Sequence, residues 1–398
     1  MAVKKRKRRF LKKNIDFPLA ITVLVLVAIG IVVVFSASYY TAEIRENDAY
    51  FYVKKQLIGA AVGLVAMVVI QNIDYHLYAK FKWIIFLAAI GINLLVWVPG
   101  LGVNLNGAQR WIRIPVAGTM QPSEIAKIGL ILVVSSELAM RSKCLTTVRG
   151  FLYILIVAGI MMIPVVLQKS LSVTIVIAIT MVILMLIAGM RVRYLLATGA
   201  LGIAGAAGLI FFSKEGQFRI SRLMAYIDPW ADPTNTGYQL VQSLYSLGSG
   251  GLFGLGLGQS RQKYLFLPYA ESDFIFAIIS EEFGYIGALI VLGIYGFLIY
   301  RCFLTALRAP DKLGTLIAAG IGGVMAVQVA MHILVVAGAI PPTGVPLPFM
   351  SAGSTSLVIF MAEMGIVLNI SRYRTEPKPE KKEEEPEPET TEAVPVSE

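Results

Sequence analysis

The sequence predicts an all-α polytopic membrane protein with about ten transmembrane helices in one membrane domain. Three observations lead to this fold class. Of the 398 residues, 57% are hydrophobic and only 15% are charged, which is far from the balance of a soluble domain. Apolar runs long enough to cross about 30 Å of hydrocarbon recur along the chain. Because backbone amides cannot stay unpaired in lipid, these runs must be helices.

Ten spans are predicted, in one domain over residues 17–372. In chain order they lie at residues 17–38, 56–71, 82–99, 123–140, 150–167, 171–189, 193–212, 273–300, 314–338 and 352–370. A basic tail at residues 1–16 precedes them. A tail at residues 373–398, rich in Glu, Pro and Lys, follows them and is predicted to be disordered because it has little apolar surface to bury.

Basic residues flank the predicted spans on one side. The first tail is rich in Lys and Arg between positions 4 and 13, and the connections on the same side of a ten-span bundle are also basic. Cytoplasmic loops carry this excess, so both termini are predicted to lie in the cytoplasm. The predicted location of the helices is the cytoplasmic membrane of a bacterial cell. The net charge of +10 then reflects topology and contact with anionic lipid, and we expect no nucleic-acid partner.

The largest outer connection, residues 213–272, lies between the seventh and eighth spans. Its length is far beyond that of an ordinary loop, so it should be functional or contain helices of its own. Residues 238–247 have helical apolar spacing and predict a short helix that can lie on the membrane surface. A glycine-rich run at residues 248–258 follows and predicts turns.

Carboxylates stand at the start of the eighth span. Asp273 lies at its mouth, and Glu281 and Glu282 lie about 12–14 Å deeper. A charge at membrane depth costs at least a few kcal/mol unless it is paired, neutralised or facing water. Asp273 is therefore a candidate functional residue. The simpler alternative is that Ser272 or Asp273 caps the helix.

A second polar cluster opens the fourth span. Pro122 suits a first helical turn, and Glu124 suits the positive end of the helix dipole. Glu124 and Lys127 are three residues apart and share one face. Two interpretations remain open: a local ion pair at a helix start, or a polar pocket in which Lys127, about 4–5 Å deeper, needs a partner.

Other polar residues give weaker signals. Arg261 and Lys263 follow a glycine-rich turn, and such turns can bind phosphate. Arg110 lies in the loop before the fourth span. His76 lies on an inner connection, and His332 in the ninth span is predicted to be a packed histidine because nothing nearby forms a ligand set.

Four ordered motifs resemble the SEDS family (shape, elongation, division and sporulation), which includes FtsW, RodA and SpoVE. They are Asn106-Gly107-Ala108 with Arg110-Trp111, Gln121-Pro122-Ser123-Glu124 with Lys127, Asp273-Phe274-Ile275-Phe276-Ala277 with Glu281-Glu282, and Thr343-Gly344 with Leu347-Pro348-Phe349. The resemblance covers the chain between its tails, including the ten spans and the large outer loop. Residues 256–263 are more similar to FtsW and SpoVE than to RodA.

The chain departs from the family pattern at four places. Tyr269 stands where relatives have an acid, which leaves Glu271 as a substitute, and Ser272 replaces a threonine but keeps its hydroxyl. The turn at residues 351–354 and the connection at residues 168–171 also differ, so residue roles transfer less directly to those two loops.

The resemblance implies a peptidoglycan glycosyltransferase that polymerises lipid II into glycan strands on the outer face of the cytoplasmic membrane, for a division septum or a spore cortex. It assigns the essential acid to Asp273, as the general base on the acceptor hydroxyl or as the ligand that positions a divalent cation, Mg²⁺ or Mn²⁺. The residues expected to bind substrate are Arg110, Glu124, Lys127, Arg261, Lys263, Glu271, Ser272 and Ser354.

The implied partners are a class B penicillin-binding protein, which is a single-span transpeptidase, and other division or sporulation membrane proteins. Two alternative functions remain open. A transporter that flips lipid II would use Glu281 and Glu282 as part of a path, although no inverted repeat is visible. A non-catalytic division scaffold would not explain why Glu124, Lys127 and Asp273 gather near one mouth.

Overall fold

The computed structural model describes residues 15–105, 108–114, 118–141, 147–211, 223–224 and 226–373. These residues are mostly helical, which confirms the predicted fold class. Predictions that concern residues 1–14, Asn106-Gly107 and the tail from residue 374 onward lie outside the described residues. The two ends of the bundle are named below by the predicted orientation, so that α1 begins at the cytoplasmic end.

The described helices match the ten predicted spans within a few residues, except that α1 and α10 extend seven or eight residues beyond one predicted end. They are α1 Phe17–Glu46, α2 Phe51–Ile70, α3 His76–Lys80, α4 Lys82–Leu94, α5 Ser123–Met140, α6 Val148–Leu167, α7 Leu171–Ile187, α8 Val192–Phe211, α9 Tyr238–Ser249, α10 Ile275–Leu307, α11 Lys312–Val336 and α12 Ser354–Ser371. Six are long and apolar enough to cross a membrane: α1, α2, α6, α10, α11 and α12. Helices α4, α5, α7 and α8 complete the predicted set, whereas α3 and α9 are short.

Glycines bring α2 and α12 into close contact. A Cβ atom on Gly59 would lie 2.7 Å from the carbonyl oxygen of Ser354, and one on Gly63 would lie 2.5 Å from the sulfur of Met361. Small residues let membrane helices approach closely without a hydrophobic driving force between them. The start of α12 is therefore held against α2, which matters because this start borders the candidate site.

Buried ion pairs connect elements at the cytoplasmic end. Arg301 near the end of α10 pairs with Asp16 just before α1 at 2.5 Å. Lys82 and Arg141 both pair with the fully buried Glu137, at 2.7 and 3.1 Å. Because charges in such surroundings need partners, these pairs define which helix ends meet.

Helix α10 is interrupted at Gly284, whose φ of 68° and ψ of −172° are not helical. We call residues 275–283 α10a and residues 285–307 α10b. By length alone α10b spans about 34 Å, enough to cross the hydrocarbon without α10a.

A hydrogen bond to α1 locates the end of α10a along the bundle. Glu282 accepts a hydrogen bond from Ser36 at 2.7 Å, and Ser36 lies about 20 residues, or about 30 Å, along α1 from Asp16. Asp16 marks the cytoplasmic end through Arg301. Glu282 and its neighbour therefore lie near the outer boundary of the membrane. Because Gly284 follows both glutamates, their predicted offset of about 12–14 Å from Asp273 along the helix is unaffected by the interruption and stays a prediction.

A small sheet occupies the outer connection between α4 and α5, where the sequence predicted only a loop. Strands β1 Gly102–Leu105, β2 Ala108–Ile114 and β3 Gly118–Met120 are antiparallel in the order β1-β2-β3. Thr355 near the start of α12 donates a hydrogen bond to the carbonyl of Thr119 at 3.0 Å. The sheet thus contacts the same helix start as α2.

His76 connects the turn between α2 and α3 with the start of α11 at the cytoplasmic end. Its Nδ1 lies 2.7 Å from Asp74 and its Nε2 lies 2.7 Å from Asp311, which also accepts from Tyr75 at 3.0 Å. Asp311 caps α11 by accepting the Gly314 N–H at 2.7 Å. Burial acts to lower the pKa of His76, but the hydrogen bonds and charges of Asp74 and Asp311 outweigh it and raise this pKa.

This geometry predicts a pH-dependent stability. Because the pKa of His76 is raised in the folded state, its contribution is fully present below the unfolded pKa of about 6.5 and is lost as the pH rises through the folded value. The apparent melting temperature in detergent should therefore fall as the pH rises above about 6.5. In His76→Gln this decrease should be smaller; an equal decrease in both proteins would contradict the assignment.

Candidate functional site

Asp273 lies at the outer mouth of the bundle, directly before α10. The backbone N–H of Asp273 donates to the carbonyl of Tyr269 at 3.0 Å, and its half-buried carboxylate faces Gly344, where a Cβ atom would lie 3.4 Å from Oδ2. Phe274 occupies the N-cap position of α10 and makes no side-chain capping bond. The structure thus does not show Asp273 as a simple cap; it places the carboxylate against the loop before α12.

Glu271 and Ser272 are attached to the turn that opens α12. The Ala352 N–H donates to the carbonyl of Glu271 at 2.8 Å, and the Ser351 hydroxyl donates to the carbonyl of Ser272 at 2.6 Å. The turn leads directly into Ser354. Sequence positions about 80 residues apart, each predicted to bind substrate, therefore meet at one place.

Two residues that the sequence did not single out as site residues hold these loops. Gln56, 1% exposed in the apolar helix α2, accepts the Gly353 N–H at 3.2 Å. His332, a packed histidine as predicted, contacts the carbonyl of Val345 at 2.9 Å through Nδ1, next to Gly344. The available signal was a polar side chain within an apolar helix, which is costly unless it has a partner.

Glu271 is buried at this mouth, with 6% of the residue exposed. Burial raises the pKa of Glu271, while the positive charge of Arg45 acts in the opposite direction. The carboxyl group of Glu271 is thus easier to protonate than that of a surface glutamate, which suits a proton-exchanging neighbour of Asp273.

Glu124 and Lys127 form a buried ion pair at the start of α5. Their charged atoms are 2.7 Å apart and both residues are about 2% exposed. The Lys127 ammonium also lies 5.6 Å from the centre of the Phe360 ring of α12. The sequence left open a local ion pair or a pocket in which Lys127 needs a partner. The structure shows the local ion pair, and this pair is buried against α12.

Glu363 of α12 was not predicted as a site residue. It is fully buried, and among the described residues neither of its carboxylate oxygens has a hydrogen-bond partner. It follows Phe360 by about one turn, and the charges of Lys127 and Glu124 act on it. The region around Lys127 thus contains two carboxylates and one ammonium group.

The other predicted substrate-binding cations lie elsewhere. Arg110 of β2 donates to the carbonyls of Gln168 at 3.3 Å and Lys169 at 2.7 Å, which connects the sheet to the α6–α7 turn. Arg261 has an exposed side chain on the outer loop, and its backbone N–H donates to Glu281 at 3.0 Å. The structure does not show these two cations converging on Asp273.

Lys263 is buried inside the protein. Its ammonium group lies 3.1 Å from Glu282 and 3.4 Å from the hydroxyl of Ser36, and it faces the rings of Tyr39 and Tyr264. Only about 1% of this residue is exposed. Its predicted contact with substrate stays a prediction, and the structure assigns its charge to Glu282.

A divalent cation is the cofactor predicted for the mouth around Asp273. Among the described residues, no group of three or more His, Cys, Asp or Glu side chains is arranged to hold a metal ion. A divalent cation at this mouth would need most of its ligands from water and from substrate phosphate oxygens, as Mg²⁺ sites often do.

Comparisons with known proteins identify the family. The family model described as "Cell cycle protein", which covers FtsW, RodA and SpoVE, matches residues 17–376. Stage V sporulation protein E of Bacillus subtilis is 38% identical over 363 residues, covering 91% of this chain and 98% of that protein. A "Probable peptidoglycan glycosyltransferase FtsW" of Saccharophagus degradans is 39% identical over 376 residues, covering 92% and 96%. The chain belongs to the FtsW/RodA/SpoVE family, as its four motifs predicted.

Solved structures share the fold. A chain from "Structural coordination of polymerization and crosslinking by a peptidoglycan synthase complex" matches with a TM-score of 0.75 at 24% identity, covering 90% of this chain and 98% of that one. The Rod shape determining protein RodA of Thermus thermophilus matches with a TM-score of 0.65 at 26% identity, covering 91% and 98%. These likenesses confirm the multi-pass helical architecture.

Proposed function

We propose that this chain is a peptidoglycan glycosyltransferase that polymerises lipid II on the outer face of the cytoplasmic membrane, during septum or spore-cortex synthesis. The observation that carries the proposal is the convergence of Asp273, Gly344 and the start of α12 at the outer mouth. The names of the relatives support the same activity. Both termini lie in the cytoplasm in this proposal, as the basic connections predict.

Asp273 acts as the general base in this proposal. The acceptor sugar hydroxyl attacks the anomeric carbon of the donor, its proton passes to the Asp273 carboxylate, and the bond to the lipid diphosphate breaks with its electron pair on the leaving oxygen. Base catalysis of this kind contributes about 10²–10⁴-fold. Burial raises the pKa of Glu271, two residues before Asp273 in the chain, and we assign this acid a part in returning the proton to solvent.

The leaving diphosphate requires positive charge, and Lys127 is the best-placed buried cation on the α12 side of the mouth. Arg110 and Arg261 can bind phosphate oxygens only if their side chains leave their present positions or meet the substrate at the rim. Asp273 would be the residue that holds the proposed Mg²⁺ or Mn²⁺, which would supply positive charge for the leaving diphosphate. No step above depends on this ion.

A class B penicillin-binding protein is the proposed partner, together with other division or sporulation membrane proteins. The related solved complex couples polymerization to crosslinking, and a transpeptidase is the enzyme that would crosslink the strands made here. The transporter alternative has lost its main support, because Glu281 and Glu282 lie near the outer boundary and accept hydrogen bonds from Ser260 of the outer loop.

Polymerisation by purified protein tests the proposal. Full-length chain, alone and with its cognate transpeptidase, is incubated with lipid II and Mg²⁺ or Mn²⁺, with and without a chelator, and glycan strands are separated on a gel. We expect ladders from the wild type. Asp273→Ala or Asp273→Asn should lower the initial rate about 10²–10⁴-fold.

Three outcomes would contradict parts of this proposal. Ladders from Asp273→Asn within a few-fold of wild type would exclude the base role. An absence of ladders under every condition, combined with movement of lipid II across vesicle bilayers, would show a transporter instead. Ladders that persist unchanged with a chelator would remove the divalent cation.

A further inference from the structure

A segment of the outer loop replaces helical hydrogen bonds at the interruption of α10. In a continuous helix, the N–H groups of residues 285 and 286 would donate to the carbonyls of Glu281 and Glu282. Here those carbonyls accept instead from Leu255 at 2.9 Å and Gly256 at 3.0 Å. The freed N–H groups donate to the carbonyls of residues 251 and 252, at 2.9 and 3.2 Å. We call residues 250–256 the inserted loop.

Glycines make this insertion possible. A Cβ atom would lie 2.1 Å from the Ser280 carbonyl oxygen at Gly250, and 2.2 Å from the Glu282 carbonyl oxygen at Gly254. At Gly284 it would lie 2.3 Å from the Gly254 nitrogen. Real Cβ atoms do not approach this closely, so the backbones of the inserted loop and α10 contact each other directly.

The side chain of Glu281 attaches the outer loop to the end of α10a. It accepts from the hydroxyls of Ser246 at 3.1 Å, Ser249 at 3.3 Å and Ser260 at 2.5 Å, and from the Arg261 N–H at 3.0 Å. Four donors satisfy this buried carboxylate. They come from both sides of the inserted loop, from α9 and from residues 260–261.

The side chain of Glu282 attaches the same point to α1. Its carboxylate pairs with Lys263 at 3.1 Å and accepts from Ser36 at 2.7 Å and from the Ser260 N–H at 3.3 Å. Lys263 and Glu282 are each about 1% exposed. A buried pair with this many hydrogen bonds defines one arrangement and is costly to break.

The geometry points to Lys263 and Glu282 as positioning residues for Asp273. Helix α10a carries Asp273 before its first turn and Glu281 and Glu282 in its last turn. Because Gly284 interrupts the helix, the membrane-spanning α10b does not set the direction of α10a through continuous helical bonds. The inserted loop and the Lys263–Glu282 pair do so instead. The inference rests on the proposed function, since Asp273 is the residue being positioned.

This role differs from that of an ordinary stabilising ion pair. Removing Lys263 should displace α10a and hence Asp273, and a displacement of about 1 Å at a reacting group can cost about 10²-fold in rate. Both residues are about 1% exposed and their charges face each other, so loss of the pair should reduce kcat more than it changes KM.

Lys263→Met is the central variant, and Arg301→Met is its matched control. Both variants remove the cation of an ion pair that involves α10. Lys263 pairs with Glu282 in α10a, whereas Arg301, at the far end of α10b, pairs with Asp16 before α1. In the polymerisation assay we expect kcat of Lys263→Met to fall about 10–100-fold, with Arg301→Met within about threefold of wild type. Lys263→Arg should keep most of the activity. Melting temperatures are measured for each.

A second readout does not depend on activity. In a Cys144→Ser background, where Cys302 is fully buried, Ser272→Cys places a thiol beside Asp273. The rate of its alkylation by N-ethylmaleimide reports the position of this segment. We expect Lys263→Met to change that rate at least about threefold and Arg301→Met to leave it unchanged.

The outcomes separate the inference from the proposed function. Equal kcat losses and equal alkylation rates in the two Met variants would overturn the positioning role. If wild-type protein makes no glycan, the proposed function fails, and the alkylation rates alone decide whether Lys263 positions this segment. If Lys263→Met does not fold, Ser36→Ala removes one donor to Glu282 without leaving an unpaired charge. It should lower kcat several-fold and change the alkylation rate in the same direction; no effect on either would overturn the inference.

Discussion

Lys127→Met is expected to destabilise the protein by about 3–5 kcal/mol, because it leaves a buried carboxylate without its cation. Lys127 and Glu124 are 2.7 Å apart and about 2% exposed. The cost should lie at the upper end of that range, since Glu363 is buried nearby and its oxygens have no hydrogen-bond partner in the described part of the chain. Without Lys127, two carboxylates would share an apolar region with no ammonium group.

The measurement is thermal unfolding of purified protein in one detergent. With an unfolding entropy of about 2.1 cal/mol/K per residue, a loss of this size corresponds to a decrease in apparent melting temperature of about 4–6 °C. The double variant Glu124→Gln with Lys127→Met should recover much of the loss, because it removes both members of the pair. Polymerisation should stay low in both, since neither retains the proposed cation for the diphosphate. A single variant within about 1 °C of wild type would contradict this account.

The spans could be predicted from the sequence because their signal is local. A run of apolar residues must become a helix in lipid whatever surrounds it, and α5 begins at Ser123 as its Pro122 and Glu124 indicated. The same locality explains a failure. The strands between α4 and α5 are short, and their pairing depends on contacts with α12 and the α6–α7 turn rather than on a long alternating pattern.

The interior of the outer loop could not be predicted, because its meaning depends on distant partners. The glycines of residues 248–258 predicted turns, whereas in the structure part of this run is inserted into the interruption of α10. Because Lys263 follows these glycines, the sequence indicated that it can bind phosphate. Nothing local indicates that its side chain points inward to Glu282, 19 residues later.

The candidate site itself was predicted as a set of residues but not as a geometry. Asp273, Glu124 and Lys127 were identified because charges at a membrane mouth are costly. Their neighbours Gln56 and Glu363 were not, since a single polar residue in a long apolar helix gives a weak signal. Only the fold shows that Gln56 holds the turn before α12.

Gly250→Ala is expected to disrupt the inserted loop through one methyl group. Gly250 has an ordinary helical conformation, with φ −67° and ψ −25°, so alanine is acceptable to its own backbone. The added Cβ atom would lie 2.1 Å from the Ser280 carbonyl oxygen, an atom of the α10 backbone that cannot rotate away. Overpacking of this kind typically costs about 1–3 kcal/mol and more where backbone must move. We expect a lower melting temperature and, if α10a shifts, a polymerisation rate reduced at least about tenfold.

Gly248→Ala, two residues earlier in α9, is the matched control. A Cβ atom there has nothing within 4 Å, and replacing glycine by alanine inside a helix stabilises it by about 0.5–1 kcal/mol. Its melting temperature should equal or exceed that of wild type, and its polymerisation rate should be unchanged. The same substitution thus has opposite effects at two neighbouring positions if the inserted loop contacts α10 as the structure shows. If both variants behave like wild type, the direct backbone contact between Gly250 and Ser280 does not exist in the folded protein. In that case α10a is positioned by some other part of the chain.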